Sequence, residues 1–329
     1  MKKAIKRGIV FALICCIAVA FTACGGKNGS GNIFKIGVLQ LATHDALDAA
    51  YQGFVDGLQE AGLKMDVDFS IDYQNAQGEK SNCQTIAAKF VNDKVDLVLA
   101  IATPAAQAMA SETNKIPILV TAVTDPADSK LVLSNSKSGT NVAGTSDLTP
   151  VKDQLKLLKE IFPKAENVAV LYNSGEPNSV FQMKLAKEAA PDFGLTVIDA
   201  SVSQSSEIQS VVESVVGKAD VLYAPTDNMV ASGMATVSLI AKEAKIPVIV
   251  GEEGMLNNGG LATYGINYYD LGKLTSTQAV EVIRNDAKVA DMPILYLTDF
   301  ELLINKKVAD DLKIEIPKSL LDKAKLVEE

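Results

Sequence analysis

The run Val95-Asp96-Leu97-Val98-Leu99-Ala100-Ile101-Ala102-Thr103-Pro104-Ala105-Ala106 decides the fold. Apart from Asp96, its first part is short and apolar throughout, the pattern of a strand buried on both faces. Thr103-Pro104 then supplies a helix start, with Thr as N-cap and Pro in the first turn. A doubly covered strand followed at once by a helix belongs to a parallel α/β sheet. We therefore expect a strand over 95–100 and a helix over 104–113.

The same pattern continues in both directions. VAVLY at 168–172 and PVIVG at 247–251 are further short apolar runs with helical stretches between them. Residues 34–120 read as four strand–helix units and residues 168–250 as four more. Each half ends in a Lys-Ile-Pro step into a strand, at Lys115-Ile116-Pro117 and Lys245-Ile246-Pro247. A single helix is expected over 228–244, another over 271–286, and one strand region over 293–304. The fold class is α/β, with two Rossmann-like lobes of parallel sheet and a ligand cleft between them. The chain is expected to cross the hinge near 145–150, 264–268 and 295–300. One lobe is then 34–146 plus 268–297, and the other 147–267 plus 298–329.

The amino terminus reads as an export signal. Met1 to Arg7 is basic and Gly8 to Ala20 apolar, too short to span a bilayer comfortably but suited to a signal-peptide core. Ala23-Cys24-Gly25 follows, as in a bacterial lipobox, with Phe21 where that pattern carries Leu. Residues 1–23 are thus expected to be a signal peptide and Cys24 the lipidation site. Residues 24–33 form the anchor and a flexible Gly/Ser/Asn linker. Of the four cysteines, only Cys83 remains in the body, so no disulfide is expected there. A single histidine, His44, rules out most zinc and Ser-His-Asp arrangements, and no metal site is expected.

Hydrophobic residues at 48% and charged residues at 22% fit a globular protein with a substantial core. The net charge is −9; removing Lys2, Lys3, Lys6 and Arg7 leaves 27 basic against 40 acidic side chains, or −13. That balance argues against nucleic acid as a partner.

Ligands of open parallel sheets bind outside the carboxyl ends of the strands. Six loops at those ends carry polar side chains, and the candidate ligand-binding residues come from them. They are Gln40, His44, Thr103, Pro104, Ala122, Thr124, Asp125, Asn173, Ser174, Glu176, Asn178, Ser179, Thr226, Asp227, Asn228 and Glu252. Thr103 and the amides after it suit a carboxylate, because a helix start presents free N–H groups. Asp227, Glu252 and Glu253 suit an ammonium group. A ligand with both groups is an amino acid. Ser179 and Asp227 are equally consistent with helix capping, and Tyr172, Tyr223 and Tyr264 with either pocket or core.

These loops resemble those of the substrate-binding lipoproteins of ABC importers whose ligands include tryptophan, tyrosine and phenylalanine. The resemblance rests on Gln74-Asn75-Ala76-Gln77-Gly78, Ala100-Ile101-Ala102-Thr103-Pro104-Ala105-Ala106-Gln107 and Thr121-Ala122-Val123-Thr124-Asp125-Pro126. It continues through Ser146-Asp147-Leu148-Thr149-Pro150, Leu171-Tyr172-Asn173-Ser174-Gly175-Glu176, Pro225-Thr226-Asp227-Asn228 and Gly251-Glu252-Glu253. Asp45 departs from it, standing where Pro would follow the histidine. The resemblance implies a type I periplasmic-binding-protein fold, no catalysis, no cofactor, and an ABC permease with its ATPase as partners. It implies an extracytoplasmic, membrane-anchored monomer that binds an aromatic or hydrophobic amino acid. An enzyme in the same cleft would need a nucleophile and a matched base, and no such spacing is present. A ligand sensor, or a receptor for a nucleoside or sugar, would use the same fold.

Overall fold

The computed structural model describes residues 33–327. The expected signal peptide, Cys24 and linker therefore lie outside the described residues, apart from Ile33.

The first sheet has six strands in the order β11-β5-β4-β3-β1-β2. These are β1 (Phe34–Gln40), β2 (Phe69–Asn75), β3 (Leu97–Ile101), β4 (Ile118–Val123), β5 (Val142–Ser146) and β11 (Ile294–Tyr296). All its pairings are parallel. β3 and β4 are buried at every residue, as their uninterrupted apolar sequences require.

The second sheet has seven strands in the order β13-β12-β10-β9-β8-β6-β7. They are β6 (Asn167–Asn173), β7 (Thr196–Val202), β8 (Val221–Ala224), β9 (Val248–Val250), β10 (Ala262–Gly265), β12 (Glu301–Asn305) and β13 (Lys325–Val327). β10 and β12 pair antiparallel, and the others parallel. The expected single strand region over 293–304 is two strands in two sheets. β11 pairs with β5, and β12 with β10, so residues 297–300 cross between the sheets. The chain also crosses at 147–150, after β5, and at 266–267, after β10.

Helices cover the sheets. α1 (Asp45–Glu60) buries Ala46, Leu47, Ala50, Gly53, Phe54, Val55 and Leu58, a stripe at helical spacing. The expected helix over 228–244 is two helices, α7 (Asn228–Ser232) and α8 (Met234–Ala244), parted at Gly233. Gly233 leaves helical geometry (φ −97°, ψ 6°), and a Cβ there would press on Ile208 of the helix below.

α10 (Tyr268–Asn285) leaves the second sheet and packs along α1 on the first. Three glycines make that contact possible. A Cβ on Gly53 or Gly272 would overlap a backbone carbonyl of the other helix, from Tyr269 and Ala50 respectively, and one on Gly57 would overlap the Ser276 hydroxyl. The backbone has nowhere to yield, because both helices are held against the buried first sheet. Gly272→Ala and Gly53→Ala are each expected to destabilise the protein by about 1–3 kcal/mol, the range for overpacking. Chemical denaturation checks this; an unchanged midpoint would show that the helices part without penalty.

Candidate functional site

The carboxyl ends of the strands in both sheets converge on one small cavity of about 20 Å³. That is room for about one water molecule in the arrangement seen here. The first sheet supplies His44, Ala46 and Leu47 after β1, Ala122 and Thr124 at the end of β4, and Asp147 after β5. The second supplies Asn178 at the start of α5 (Pro177–Ala189), Thr226, Asp227, Asn228 and Ala231 after β8, and Glu252 after β9. Tyr268, the first residue of α10, completes the wall.

Local backbone shapes this wall. The pairing of β4 with β5 slips between Val120 and Val123, and Ala122 within the slip has φ 54°. A bulge of this kind re-aims a residue at a sheet margin. Ala102, at the end of β3, has φ 82°. Both are non-glycine residues in strained conformations beside the cleft.

Among the described residues, three hydrogen bonds join the two halves across the cleft, away from the crossings. His44 Nε2 lies 3.3 Å from Asn228 Oδ1, a hydrogen bond that requires the Nε2–H tautomer. Asn258 Nδ2 donates to Asp45 Oδ2 at 3.0 Å, and Lys80 Nζ to the Gly175 carbonyl at 2.6 Å. Asp45, where the resemblance would place proline, thus carries a contact to the other half.

The cavity is acidic. Asp147, Asp227 and Glu252 line it, and no Lys or Arg does. The pKa of its basic side chain, His44, is lowered, because burial depresses it more than the hydrogen bond to Asn228 and the nearby carboxylates raise it. Burial raises Asp147, and it pushes Glu252 up to about 7 against two backbone hydrogen bonds. Burial also raises Asp227, with the Glu176 charge adding to it.

Two of these carboxylates are helix caps as well. Asp227 Oδ1 accepts from Val230 N at 2.8 Å, and Oδ2 from Asn173 N at 2.6 Å. Glu252 Oε1 accepts from Met255 N at 2.7 Å, and Oε2 from Gly254 N, capping α9 (Glu253–Asn257). Glu176 lies behind the wall, where Asn173, Asn178 and Asn228 donate to it.

Of the residues expected from the sequence, His44, Ala122, Thr124, Asn178, Thr226, Asp227, Asn228 and Glu252 line the cavity. Pro104, Asn173 and Glu176 border a wider groove outside it. The rest lie elsewhere. Thr103 is the first residue of α3 (Thr103–Glu112); Ala102 holds the N-cap place expected of Thr103, and the Thr103 hydroxyl is buried without a hydrogen-bond partner. Gln40 is also fully buried and donates to the Ala42 carbonyl and to Asp48. Asp125 closes a turn by accepting from the amides of Ala127 and Asp128 and from Asn135. Ser174 is exposed and donates to the Val202 carbonyl. Ser179 is buried against Asn178 and Asp227. Glu253 pairs with Lys325. Tyr223 is core, its hydroxyl donating to Gln154.

Asp147 and Tyr268 were not among the expected site residues. Both follow further strands, β5 and β10, outside the six polar loops that hold the expected residues. The strand-end rule applied to every strand finds them.

No helix among the described residues is long and apolar enough to cross a membrane. The model of the ABC transporter substrate binding protein family matches residues 35–328. A tyrosine-binding protein of Clostridioides difficile (strain R20291) is 43% identical over 280 residues, which are 85% of this chain and 81% of that protein. An ABC domain from Streptococcus pneumonia, solved in complex with L-Trp, superposes with a TM-score of 0.87 at 40% identity, covering 90% of this chain and 100% of that one. The ligand-free, open structure of a substrate binding protein with adhesive properties from Clostridium difficile superposes with a TM-score of only 0.69, despite 44% identity, covering 90% and 99%. The arrangement seen here is thus nearer to the complex than to the open form. Its two α/β sheets have the type I periplasmic-binding-protein fold, and the chain belongs to the ABC transporter substrate binding protein family.

Proposed function

We propose that this substrate-binding protein captures an aromatic L-amino acid, closes over it and delivers it to an ABC permease driven by its ATPase. The observation that carries the reading is the acidic cavity at the meeting of the two halves, with three carboxylates and no Lys or Arg in its wall. Buried carboxylates call for a cation, and an ammonium group is the compact cation a small metabolite offers. Ala46, Leu47, Ala122, Ala231 and the Tyr268 ring suit an apolar side chain. Asn228 Nδ2 spends one of its two hydrogens on Glu176, and the other suits a carboxylate. The two relatives named for tyrosine and tryptophan binding favour an aromatic side chain.

The lobes in this reading are 34–146 plus 268–297 and 147–267 plus 298–329. They turn about the crossings at 147–150, 266–267 and 297–300, and the three cross-cleft contacts form on closure. The protein works outside the cytoplasm as a monomer, tethered by lipid on Cys24.

A thermal-shift screen of residues 24–329 tests the ligand. Tyrosine, tryptophan or phenylalanine is expected to raise Tm by several degrees, since a ligand at about 100 times its Kd adds about 2.7 kcal/mol. A shift with a nucleoside or sugar and none with these amino acids would overturn the ligand class. Cys24→Ser is expected to move the expressed protein from the membrane fraction to the soluble fraction; retention on the membrane would refute the lipid tether.

The buried carboxylates also set a pH dependence. A carboxyl whose folded pKa lies above its unfolded value favours the folded state at low pH, and that contribution is lost as pH rises through the folded value. For Glu252 the window runs from its ordinary range near 4.5 to about 7. His44 acts in the opposite sense, because its folded pKa is depressed. The measurement is therefore the difference in Tm between ligand-free wild type and Glu252→Gln from pH 5 to 7.5. The variant is expected to lose less stability over that range, and parallel curves would clear Glu252.

A further inference from the structure

We infer that Asp147 is the anchor for the ligand's ammonium group and that Tyr268 is the positioning residue that holds it, which places the ammonium site on the hinge. The inference rests on the amino-acid reading above and deepens it.

The carboxylates at the cavity differ in what their oxygens already do. Both oxygens of Asp227 and both of Glu252 accept backbone amides, and Glu176 accepts three asparagine side chains. Asp147 Oδ2 accepts from the Tyr268 hydroxyl at 2.7 Å. Asp147 Oδ1 is buried and has no hydrogen-bond partner. The Thr124 hydroxyl and the residue's own amide are near the carboxylate without filling that position. Among the described carboxylates of the cavity wall, this is the one oxygen left open.

A second open acceptor lies in the same wall. Asn178 Oδ1 is also buried and unpartnered, while its Nδ2 donates to Glu176 and to Ser179, which fixes the amide's orientation. Asp147 and Asn178 are each about 95% buried, at 5% and 4% exposure. Two unfilled acceptors, one of them a carboxylate, require a ligand head with several donors and a positive charge. An ammonium group has three N–H donors and no acceptor. A buried carboxylate left without such a partner costs far more than a buried neutral group.

The location gives the anchor a second role. Asp147 begins the crossing from β5 to α4 (Val151–Ile161), and Tyr268 ends the crossing from β10 to α10. Their hydrogen bond ties two hinge crossings together. An ammonium group on Oδ1 therefore bears directly on the segments about which the lobes turn.

Calorimetric titration of wild type and Asp147→Asn at pH 7.5 tests this. The probes are L-tyrosine and its des-amino analogue 3-(4-hydroxyphenyl)propionate, with L-tryptophan and indole-3-propionate as a second pair. Wild type is expected to prefer the amino acid strongly. Asp147→Asn is expected to lose about 100-fold or more in affinity for the amino acid, as when one partner of a buried charge pair is removed. It should keep its affinity for the des-amino analogue, and its ligand-free Tm should equal or exceed wild type's, since a buried unpaired carboxylate is gone. Unchanged preference for the amino acid in Asp147→Asn would overturn the inference. So would equal loss of both probes, which is the mark of a merely structural role. If wild type binds neither amino acid, the ligand reading fails before any variant is made, and the anchor falls with it. If Asp147→Asn does not fold, Tyr268→Phe decides. It should narrow the preference about 10-fold through the lost carboxylate–hydroxyl bond, near 1.4 kcal/mol, and an unchanged preference would overturn the inference.

Discussion

The constraint on which the site depends is the burial of several carboxylates in one small space with no cation built in. Such groups are stable only where hydrogen bonds replace the water they lose. The chain meets this need in most places with backbone amides. Asp227 and Glu252 each cap a short helix; Glu252 receives two N–H groups from its helix, and Asp227 one from its helix and one from Asn173 at the end of β6. Capping and site-forming are thus one interaction: the charges shape the loops, and the loops hold the charges at the cavity. Asp147 is the member the backbone does not complete.

The cavity's position follows from packing well away from it. α10 must lie close along α1, and Gly53, Gly57 and Gly272 remove the side chains that would hold them apart. That contact sets where α10 begins, and so where Tyr268 stands relative to Asp147. It also fastens a helix that follows the second sheet onto the core of the first. The crossings therefore run between two firmly packed bodies, a geometry suited to hinge motion.

Much of this was legible in the sequence, for identifiable reasons. Continuous apolar runs such as LVLAIA marked strands covered on both faces, because they are short and end at turn and helix-start residues. Polar residues after those runs marked the cleft, because parallel strands send their carboxyl ends to one edge. That rule found His44, Thr124, Asn178, Asp227, Asn228 and Glu252. It misplaced Thr103, because capping propensity does not reveal that Ala102 takes the cap place at φ 82°. Gln40 and Asp125 likewise spend their polar groups on nearby partners, a choice that spacing does not disclose.

The sequence by itself determined the alternation of strands and helices, the duplication into two sheets, and the polar identity of the loops between them. These follow from periodicity and composition, which act over a few residues. Only the tertiary structure decided that residues 293–304 divide between two sheets, that Asp147 and Tyr268 meet across 121 positions of chain, and that one carboxylate oxygen stays open. Those outcomes depend on which distant groups compete for the same buried donors, and that competition is settled only where the two sheets bring those groups together.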